Sequence, residues 1–197
     1  MKYQIIYADP PWAFNNKRTG GNLSSGAGQK YDVMTVDDIC KLPVNKIADD
    51  NCVLFMWWVG SMVDEAIQVA RAWGFEIKTM TGFDWVKMTK SNKLFFGMGF
   101  WTRQGLENCL IAIKGKPKRI DAGIRAVILA PAEEHSKKPD EARKRIVKLM
   151  GDLPRIELFA RQSTPGWDVW GNEVDSTIDI FEDADQGKLF KEGLGWR

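Results

Sequence analysis

The chain has 197 residues and 44% of them are hydrophobic, which is enough for one ordinary domain with its own core. Its 28 basic and 26 acidic residues leave a net charge of +2, so any affinity for nucleic acid must come from local clusters of charge. The longest apolar run, residues 52–60, is far too short for a membrane span. The lack of a signal-peptide pattern and of a Cys-x-x-Cys pair predicts a cytoplasmic protein with free thiols.

Apolar runs alternate with amphipathic patterns along most of the chain. The first run, from Tyr3 to Ala8, predicts a buried strand that an Asp-Pro-Pro turn ends. Further apolar runs predict strands at residues 51–59, 75–87 (one strand or two), 106–114, 126–130, 155–160 and 167–170. Helical patterns cover residues 35–42, 61–73 and 139–150, with Ser61 as a cap and Pro139 at a first helical position. Residues 13–30, rich in glycine and serine, are interpreted as a long mobile loop.

Strands that alternate with helices predict an α/β domain whose mostly parallel sheet is flanked by helices. We expect one domain over residues 1–175 and a C-terminal tail over 176–197. In such sheets, ligands bind at the carboxyl ends of the strands. This rule directs attention to Asp9, Lys87 and Arg161, which lie at or just after the ends of predicted strands.

A tetrad of unusual chemistry, Asp9-Pro10-Pro11-Trp12, directly follows the first strand. The exocyclic amine of adenine is a poor nucleophile because its lone pair is delocalised into the ring. The Asp9 carboxylate and the Pro10 carbonyl could each accept one amine hydrogen and make that lone pair available. Two successive prolines would hold both acceptors in place, and Trp12 could stack on the base. The tetrad therefore indicates methylation of adenine at N6, on a base that is unpaired or flipped out.

A series of short motifs follows the tetrad in a fixed order. They are Tyr31 with Met34, Leu54-Phe55-Met56-Trp57, Ala72-Trp73-Gly74-Phe75, Trp85-Val86-Lys87, Gly99-Phe100-Trp101, Glu107-Asn108-Cys109-Leu110, Lys138-Pro139-Asp140, Glu157-Leu158-Phe159-Ala160-Arg161 and Gly171-Asn172-Glu173. On this ordered set the chain resembles the MT-A70 family of adenine-N6 methyltransferases over residues 3–174. That family includes the catalytic subunit of the eukaryotic messenger-RNA adenosine methyltransferase and smaller bacterial and phage DNA adenine methyltransferases.

The resemblance implies a single Rossmann-like class I methyltransferase domain that uses S-adenosylmethionine. The tetrad would be the catalytic motif. The residues expected to bind the cofactor are Lys138, Arg161, Ser163, Asn172 and Glu173. The residues expected to bind the substrate are Trp12, Tyr31, Lys87 and Glu107. For Lys87, Lys138 and Arg161 a purely structural or solvated role is the alternative.

Several alternatives remain open at this point. His135 is the only histidine, which argues against a His-based zinc site, and we expect no metal. The short apolar runs predict no membrane partner, and the tetrad and the resemblance imply a nucleic-acid substrate. DNA is favoured over RNA because the small single domain resembles the bacterial and phage members. The rival interpretation is a non-catalytic nucleic-acid-binding partner with a methyltransferase-like fold, and a third is methylation of a small molecule or a protein amide. A homodimer or a partner subunit is possible on this sequence.

Charged and aromatic side chains interleave in the segment between the third and fourth apolar runs. Its members are Lys87, Lys90, Lys93, Phe95, Phe96, Phe100, Trp101 and Arg103. This composition is typical of a groove for single-stranded nucleic acid or a flipped base. The alternative is that the aromatic side chains pack the loop onto the core. Further basic residues occur at Lys17, Arg18 and Lys30, and at Lys114, Lys116, Lys118 and Arg119.

Overall fold

The computed structural model describes residues 2–13, 33–99, 101–132 and 137–181, together with Gly193. The strands are β1 (Tyr3–Ala8), β2 (Ala48–Trp58), β3 (Glu76–Met88), β4 (Leu106–Lys114), β5 (Val127–Pro131), β6 (Arg155–Leu158) and β7 (Asp168–Trp170). The helices are α1 (Val36–Lys41), α2 (Val44–Ile47), α3 (Val63–Ala72) and α4 (Asp140–Met150). The expected mobile loop, except Ala13, and the tail from residue 182 lie outside the described residues, apart from Gly193.

The strands form one seven-stranded sheet in the order β5-β3-β4-β2-β1-β6-β7. β4 is antiparallel to both of its neighbours, and every other neighbouring pair in this sheet is parallel. The predicted α/β class is confirmed. The sheet, which was predicted to be mostly parallel, is mixed, because β4 is antiparallel to β2 and β3. The reversal of β4 has a direct consequence. Its first residues lie at the same edge as the carboxyl ends of the other strands.

Both faces of the sheet are covered, which explains why its central strands are almost continuously apolar. In β1, Ile6 and Ala8 belong to the core on the face that α1 and α3 cover. Ile5 and Tyr7, which point the opposite way, belong to the second core, beneath α4. Ile180 is also buried in the first core, so packing continues beyond residue 175. The boundary between domain and tail stays a prediction.

The ends of several elements differ from the sequence prediction. Met62, not Ser61, is the N-cap of α3, and no side chain there bonds to the helix. Pro139 is the N-cap of α4 instead of its first residue. The run predicted as one strand or two is a single strand, β3, whose pairing with β4 shifts register between Ile77 and Phe83. No helix in the described part of the chain is long and apolar enough to cross a membrane.

Candidate active site

The tetrad lies at the carboxyl edge of the sheet, directly after β1. Its backbone is held by residue 34, because the Met34 amide donates to the Pro11 carbonyl at 2.9 Å and the Ala13 amide donates to the Met34 carbonyl at 3.2 Å. The Pro10 carbonyl accepts the Trp12 amide at 2.9 Å. Since a carbonyl oxygen has two lone pairs, this bond leaves Pro10 able to accept a second hydrogen. The tetrad is therefore a turn whose backbone is fixed by hydrogen bonds, and its Pro10 carbonyl can accept one more hydrogen bond.

Trp12 is built into the core beneath the turn. Only 6% of its surface is exposed, and its indole nitrogen donates to the Trp57 carbonyl at 3.1 Å. Its ring packs in the core shared with α1 and α3. This burial supports a positioning role for Trp12 below the tetrad. The prediction that a base stacks on Trp12 stays a prediction.

A chain of four alternating charges crosses the edge of the sheet. The Lys138 ammonium lies 2.7 Å from Oδ2 of Asp9 and 3.2 Å from Oε2 of Glu107, and the other oxygen of Glu107 pairs with Lys87. Asp9 follows β1, Glu107 is the second residue of β4, and Lys87 lies near the end of β3. The antiparallel direction of β4 brings Glu107 to this edge. The structure thus brings together four of the residues that the sequence singled out.

Burial and charge compete at the two inner members of this chain. Burial alone raises the pKa of Glu107, but Lys138 and Lys87 outweigh it and hold that pKa below its ordinary value. Burial alone lowers the pKa of Lys138, but Asp9 and Glu107 outweigh it and the pKa is raised. The Lys138 ammonium also lies 5.6 Å from the centre of the Trp57 ring. Both groups therefore stay charged at neutral pH although Lys138 is only 9% exposed.

The residues expected to bind the cofactor lie after the neighbouring strands β6 and β7. Arg161 Nε and Glu173 Oε1 are 3.6 Å apart, and both side chains are partly exposed. Ser163 is exposed and Asn172 is half-buried. The backbone of the two strand ends is in close contact here, because the Ala160 amide donates to the Trp170 carbonyl at 3.0 Å. A Cβ at position 171 would collide with the Ala160 carbonyl, so this approach requires Gly171.

Phe159, the residue that directly follows β6, has an unusual backbone conformation. Its φ of 61° lies in the left-handed region, which a bulky residue rarely adopts. The ring is held by an edge-on contact with Trp170, with ring centres 5.7 Å apart. Such backbone strain concentrates at functional sites, where surrounding packing maintains it. Here it turns the chain sharply between β6 and Arg161.

A second buried ion pair lies behind the site and was not predicted from the sequence. Arg143 of α4 donates to both oxygens of Glu157 in β6, at 2.6 and 2.7 Å, and also to Asp140. The Arg143 guanidinium lies 5.4 Å from the centre of the Tyr7 ring, and the Tyr7 hydroxyl accepts the Trp57 indole hydrogen at 2.7 Å. The arrangement fixes α4 against the sheet. Glu157 belonged to a quoted motif, but its partner could not be read from the motif.

Other predicted residues divide clearly. Tyr31, expected to bind the substrate, lies outside the described residues. Lys116 and Lys118 follow the end of β4, and β4 runs antiparallel, so they lie at the edge opposite the tetrad together with Lys114 and Arg119. These four basic residues therefore do not lie beside the tetrad and cannot add to the positive charge at the edge that carries it. In the described segments, no group of three or more His, Cys, Asp or Glu side chains is placed to hold a metal.

Comparison with known proteins identifies relatives that match most of this chain. The MT-A70 family profile matches residues 3–173. The type II methyltransferase M.MunI from a Mycoplasma species is 34% identical over 196 residues, which cover 91% of this chain and 81% of M.MunI. The human N(6)-adenosine-methyltransferase catalytic subunit METTL3 is 29% identical over 179 residues, which cover 88% of this chain and 28% of METTL3. An Arabidopsis thaliana N(6)-adenosine-methyltransferase MT-A70-like protein is 28% identical over 199 residues, covering 98% of this chain and 25% of that protein.

A family profile over nearly the whole chain, and relatives that are methyltransferases, define this α/β protein as a methyltransferase. More specifically, the chain belongs to the MT-A70 family. The resemblance expected from the ordered motifs is thereby confirmed. The chain spans 28% of METTL3, so the activity of that longer protein is not carried over as a whole.

Proposed function

We propose that the protein transfers a methyl group from S-adenosylmethionine to the N6 amine of adenine in a nucleic acid, with DNA favoured over RNA. The observation that carries this proposal is the placement of Asp9. Its carboxylate follows β1 at the ligand-binding edge, beside the Pro10 carbonyl and paired with the buried Lys138 ammonium. A charged acceptor and a neutral acceptor on one braced turn suit an amine with two hydrogens.

The chemistry asks more of positioning than of basicity. The Asp9 carboxylate would accept one amine hydrogen and the Pro10 carbonyl the other, which localises the lone pair on nitrogen. Lys138 would fix the Asp9 carboxylate from behind through the 2.7 Å ion pair. Once methylated, the amine must lose one proton, and Asp9 would accept it. Glu107, at the same edge, would contact the target nucleoside, and Lys87 would hold Glu107 in position.

The residues after β6 and β7 fit the expected cofactor. S-adenosylmethionine, when bound, supplies a methyl group on a sulfonium centre that a nucleophile can attack directly. Arg161 is a cation suited to its carboxylate, and Asn172 and Glu173 are suited to the ribose hydroxyls. Lys138, which the resemblance also assigns to the cofactor, is already paired with Asp9 and Glu107. Thr164 Oγ1 is buried and has no hydrogen-bond partner among the described residues, which supports a polar ligand next to Ser163.

The preference for DNA rests on the comparison of lengths. The match with M.MunI covers most of both chains, as expected for the small bacterial and phage DNA methyltransferases that the sequence resembles. METTL3, an adenosine methyltransferase, is matched over a minor part of its length. We also propose that a single Rossmann-like methyltransferase domain carries the activity in the cytoplasm, alone, as a homodimer or with a partner subunit.

The test combines the wild-type protein with two matched variants. The protein is incubated with radiolabelled cofactor and with DNA and RNA pools of matched sequence, and the digested nucleosides are identified. We expect labelled N6-methyladenine, mainly in DNA. Asp9→Ala, which removes the side-chain acceptor, should slow the transfer by about 10²–10³-fold, by analogy with the loss of an oxyanion-hole donor. Asp64→Ala, an exposed change in the first turn of α3, should leave the rate unchanged.

Two outcomes would contradict the proposal. Wild-type protein that binds nucleic acid but transfers no methyl group would favour the non-catalytic interpretation. An Asp9→Ala variant with wild-type turnover would remove Asp9 from the chemistry. Methylation of free adenosine but not of an oligonucleotide would point to a small-molecule enzyme.

A further inference from the structure

The connection between β3 and β4 presents apolar side chains to solvent at the edge that carries the active site. We call its described residues, 89–99 and 101–105, the β3–β4 hairpin. Trp101 is 99% exposed, Met98 85%, Phe96 73% and Leu94 71%. These side chains contribute little to the stability of the fold, because most of their apolar surface stays in water. Several large exposed apolar side chains in one short segment mark a binding surface.

Backbone hydrogen bonds hold the hairpin in a defined conformation, in which these side chains are exposed. Its first turn closes with the Thr89 amide donating to the Lys93 carbonyl at 2.7 Å, and the Phe95 amide donates to the Lys87 carbonyl at 2.9 Å. Farther out, Gly97 and Gln104 form an antiparallel bridge. The two backbones are so close there that a Cβ at Gly97 would collide with the Gln104 carbonyl. The alternative that the aromatic side chains pack the loop onto the core does not describe Phe96 or Trp101.

The charges of the hairpin are all of one sign. Lys90, Lys93 and Arg103 are exposed, and residues 89–105 contain no aspartate or glutamate. The Arg103 guanidinium lies over the Phe96 ring, 5.1 Å from its centre, so a cation and an aromatic ring are in contact on this surface. Cations interleaved with exposed aromatic faces match a polymer that carries both phosphates and unpaired bases.

The hairpin is continuous with the catalytic edge. The Lys87 amide donates to the Gly105 carbonyl at 2.7 Å across its base. The side chain of the same Lys87 pairs with Glu107, and Glu107 contacts the Lys138 that holds Asp9. A strand stacked on the hairpin would therefore pass beside the place where the target amine is expected.

We propose that the β3–β4 hairpin binds the unpaired nucleotides that flank the target adenine, with Phe96 and Trp101 stacking on bases and Lys90 and Lys93 contacting phosphates. This inference rests on the proposed function, since it assumes a nucleic-acid substrate. It adds that recognition at this surface requires unpaired bases and tolerates many sequences, because every base has a face on which a ring can stack.

The charge pattern argues against a second copy of this chain as the occupant. A symmetric dimer through the hairpin would bring Lys90, Lys93 and Arg103 of both copies together. The like charges would oppose association, and the hairpin has no acidic residue to offset them. A polyanion meets the same surface with the opposite charge.

The test uses the full chain and a short single-stranded oligonucleotide that carries one adenine, compared with the same adenine in a perfect duplex. Phe96→Ala and Trp101→Ala should each weaken single-strand binding by about five- to a hundredfold, as expected for the loss of one stacked base. Ile120→Ala, an equally exposed apolar change outside the hairpin, is the matched control and should change nothing. Dissociation constants of S-adenosylmethionine should stay constant in all variants.

The charged residues give an independent readout. Lys90→Gln with Lys93→Gln should flatten the dependence of binding on salt by about 0.7 of a unit for each lost phosphate contact. Lys116→Gln with Lys118→Gln, at the opposite edge of the sheet, is the matched control and should leave the slope unchanged.

The outcomes separate this inference from the proposed function. If the wild-type protein methylates nucleic acid, but Phe96→Ala and Trp101→Ala bind the single strand as tightly as the wild type, the hairpin proposal is wrong and the proposed function stands. No methyl transfer to any nucleic acid by the wild-type protein overturns the proposed function, whatever the hairpin binds. If Trp101→Ala instead converts a dimer to a monomer in sedimentation, with nucleic-acid affinity unchanged, the occupant is a second copy and the inference is wrong.

Discussion

The Lys138 ammonium lies 2.7 Å from Oδ2 of Asp9, a residue 129 positions away in the sequence. The same ammonium lies 3.2 Å from Glu107, so one buried cation joins the turn after β1 to the start of β4. The ion pair with Lys138 orients the Asp9 carboxylate, which we propose to be catalytic. A change at Asp9 or at Glu107 should therefore affect the position and the pKa of Lys138.

The first prediction concerns the pH dependence of this network. Because the pKa of Glu107 is lowered and that of Lys138 raised, neither group should titrate between about pH 6 and pH 9. Glu107→Gln removes a negative charge that raises the pKa of Lys138, so the alkaline limb of the pH–rate profile should move to lower pH. Profiles of kcat/KM for the wild type and the variant measure the shift. Glu76→Gln, a surface change, is the control.

The same shifts fix the direction of the effect on stability. The contribution of Glu107 is present above its unfolded pKa of about 4.3 and is lost as pH falls through the lower folded value. The contribution of Lys138 is present below about pH 10.4 and is lost as pH rises through the higher folded value. An alkaline limb that stays in place in Glu107→Gln would mean that Lys138 does not respond to Glu107.

The second prediction concerns the buried ion pair behind the site. Glu157→Ala leaves the buried Arg143 guanidinium without its two-oxygen partner, so the free energy of unfolding should fall by about 3–5 kcal/mol. Lys78→Ala breaks an exposed pair on β3 and should cost less than about 1 kcal/mol. Urea denaturation of the two variants gives both values. Equal losses in the two variants would show that Arg143 finds other compensation.

The fold class and the positions of the strands could be predicted from the sequence, but the order of the strands in the sheet and the direction of β4 could not. The apolar runs correctly located the strands, because burial on both faces makes each strand visible as a run. Direction is not encoded in such a run. The reversal of β4 follows from its pairing with β2 and β3, and it decides that Glu107 lies at the site while Lys116 lies at the opposite edge.

A candidate site could be proposed from the sequence as a set of residues but not as a set of contacts. The tetrad with its Asp9 carboxylate is a candidate because its chemistry is local in sequence. The pairing of Lys138 with Asp9 joins distant segments and has no local signature. The burial of Trp12 depends on its bridge to Met34 and its bond to the Trp57 carbonyl, neither of which a four-residue motif contains.

The third prediction tests the close approach of the strand ends after β6 and β7. Gly171→Ala places a methyl group against the Ala160 carbonyl and must push apart the segments that carry Arg161 and Glu173. We expect the affinity for S-adenosylmethionine, measured by calorimetry, to fall about tenfold or more, because small displacements at positioning sites are costly. Gly60→Ala, where nothing lies within 4 Å, is the matched control. Unchanged affinity in Gly171→Ala would place the cofactor elsewhere.

The last prediction decides between two roles for Trp12. If Trp12 positions the tetrad, Trp12→Phe should mainly lower kcat, because the ring stays but the indole bond to the Trp57 carbonyl at 3.1 Å is lost. The unfolding temperature should also fall, since a buried carbonyl loses its partner at a cost of about 1–3 kcal/mol. If Trp12 stacks on the base, the phenyl ring still stacks and KM should rise modestly with kcat retained.

Steady-state kinetics with a single-stranded oligonucleotide separate these outcomes, because stacking acts on substrate binding and positioning acts on the chemical step. Trp73→Phe is the matched control. Its indole also donates to a backbone carbonyl, that of Ile39 at 2.8 Å, but beneath α1 and away from the tetrad. It should lower stability by a similar amount and leave kcat unchanged. A fall in kcat confined to Trp12→Phe, at equal loss of stability, would assign Trp12 to positioning; a rise in KM alone would assign it to the base.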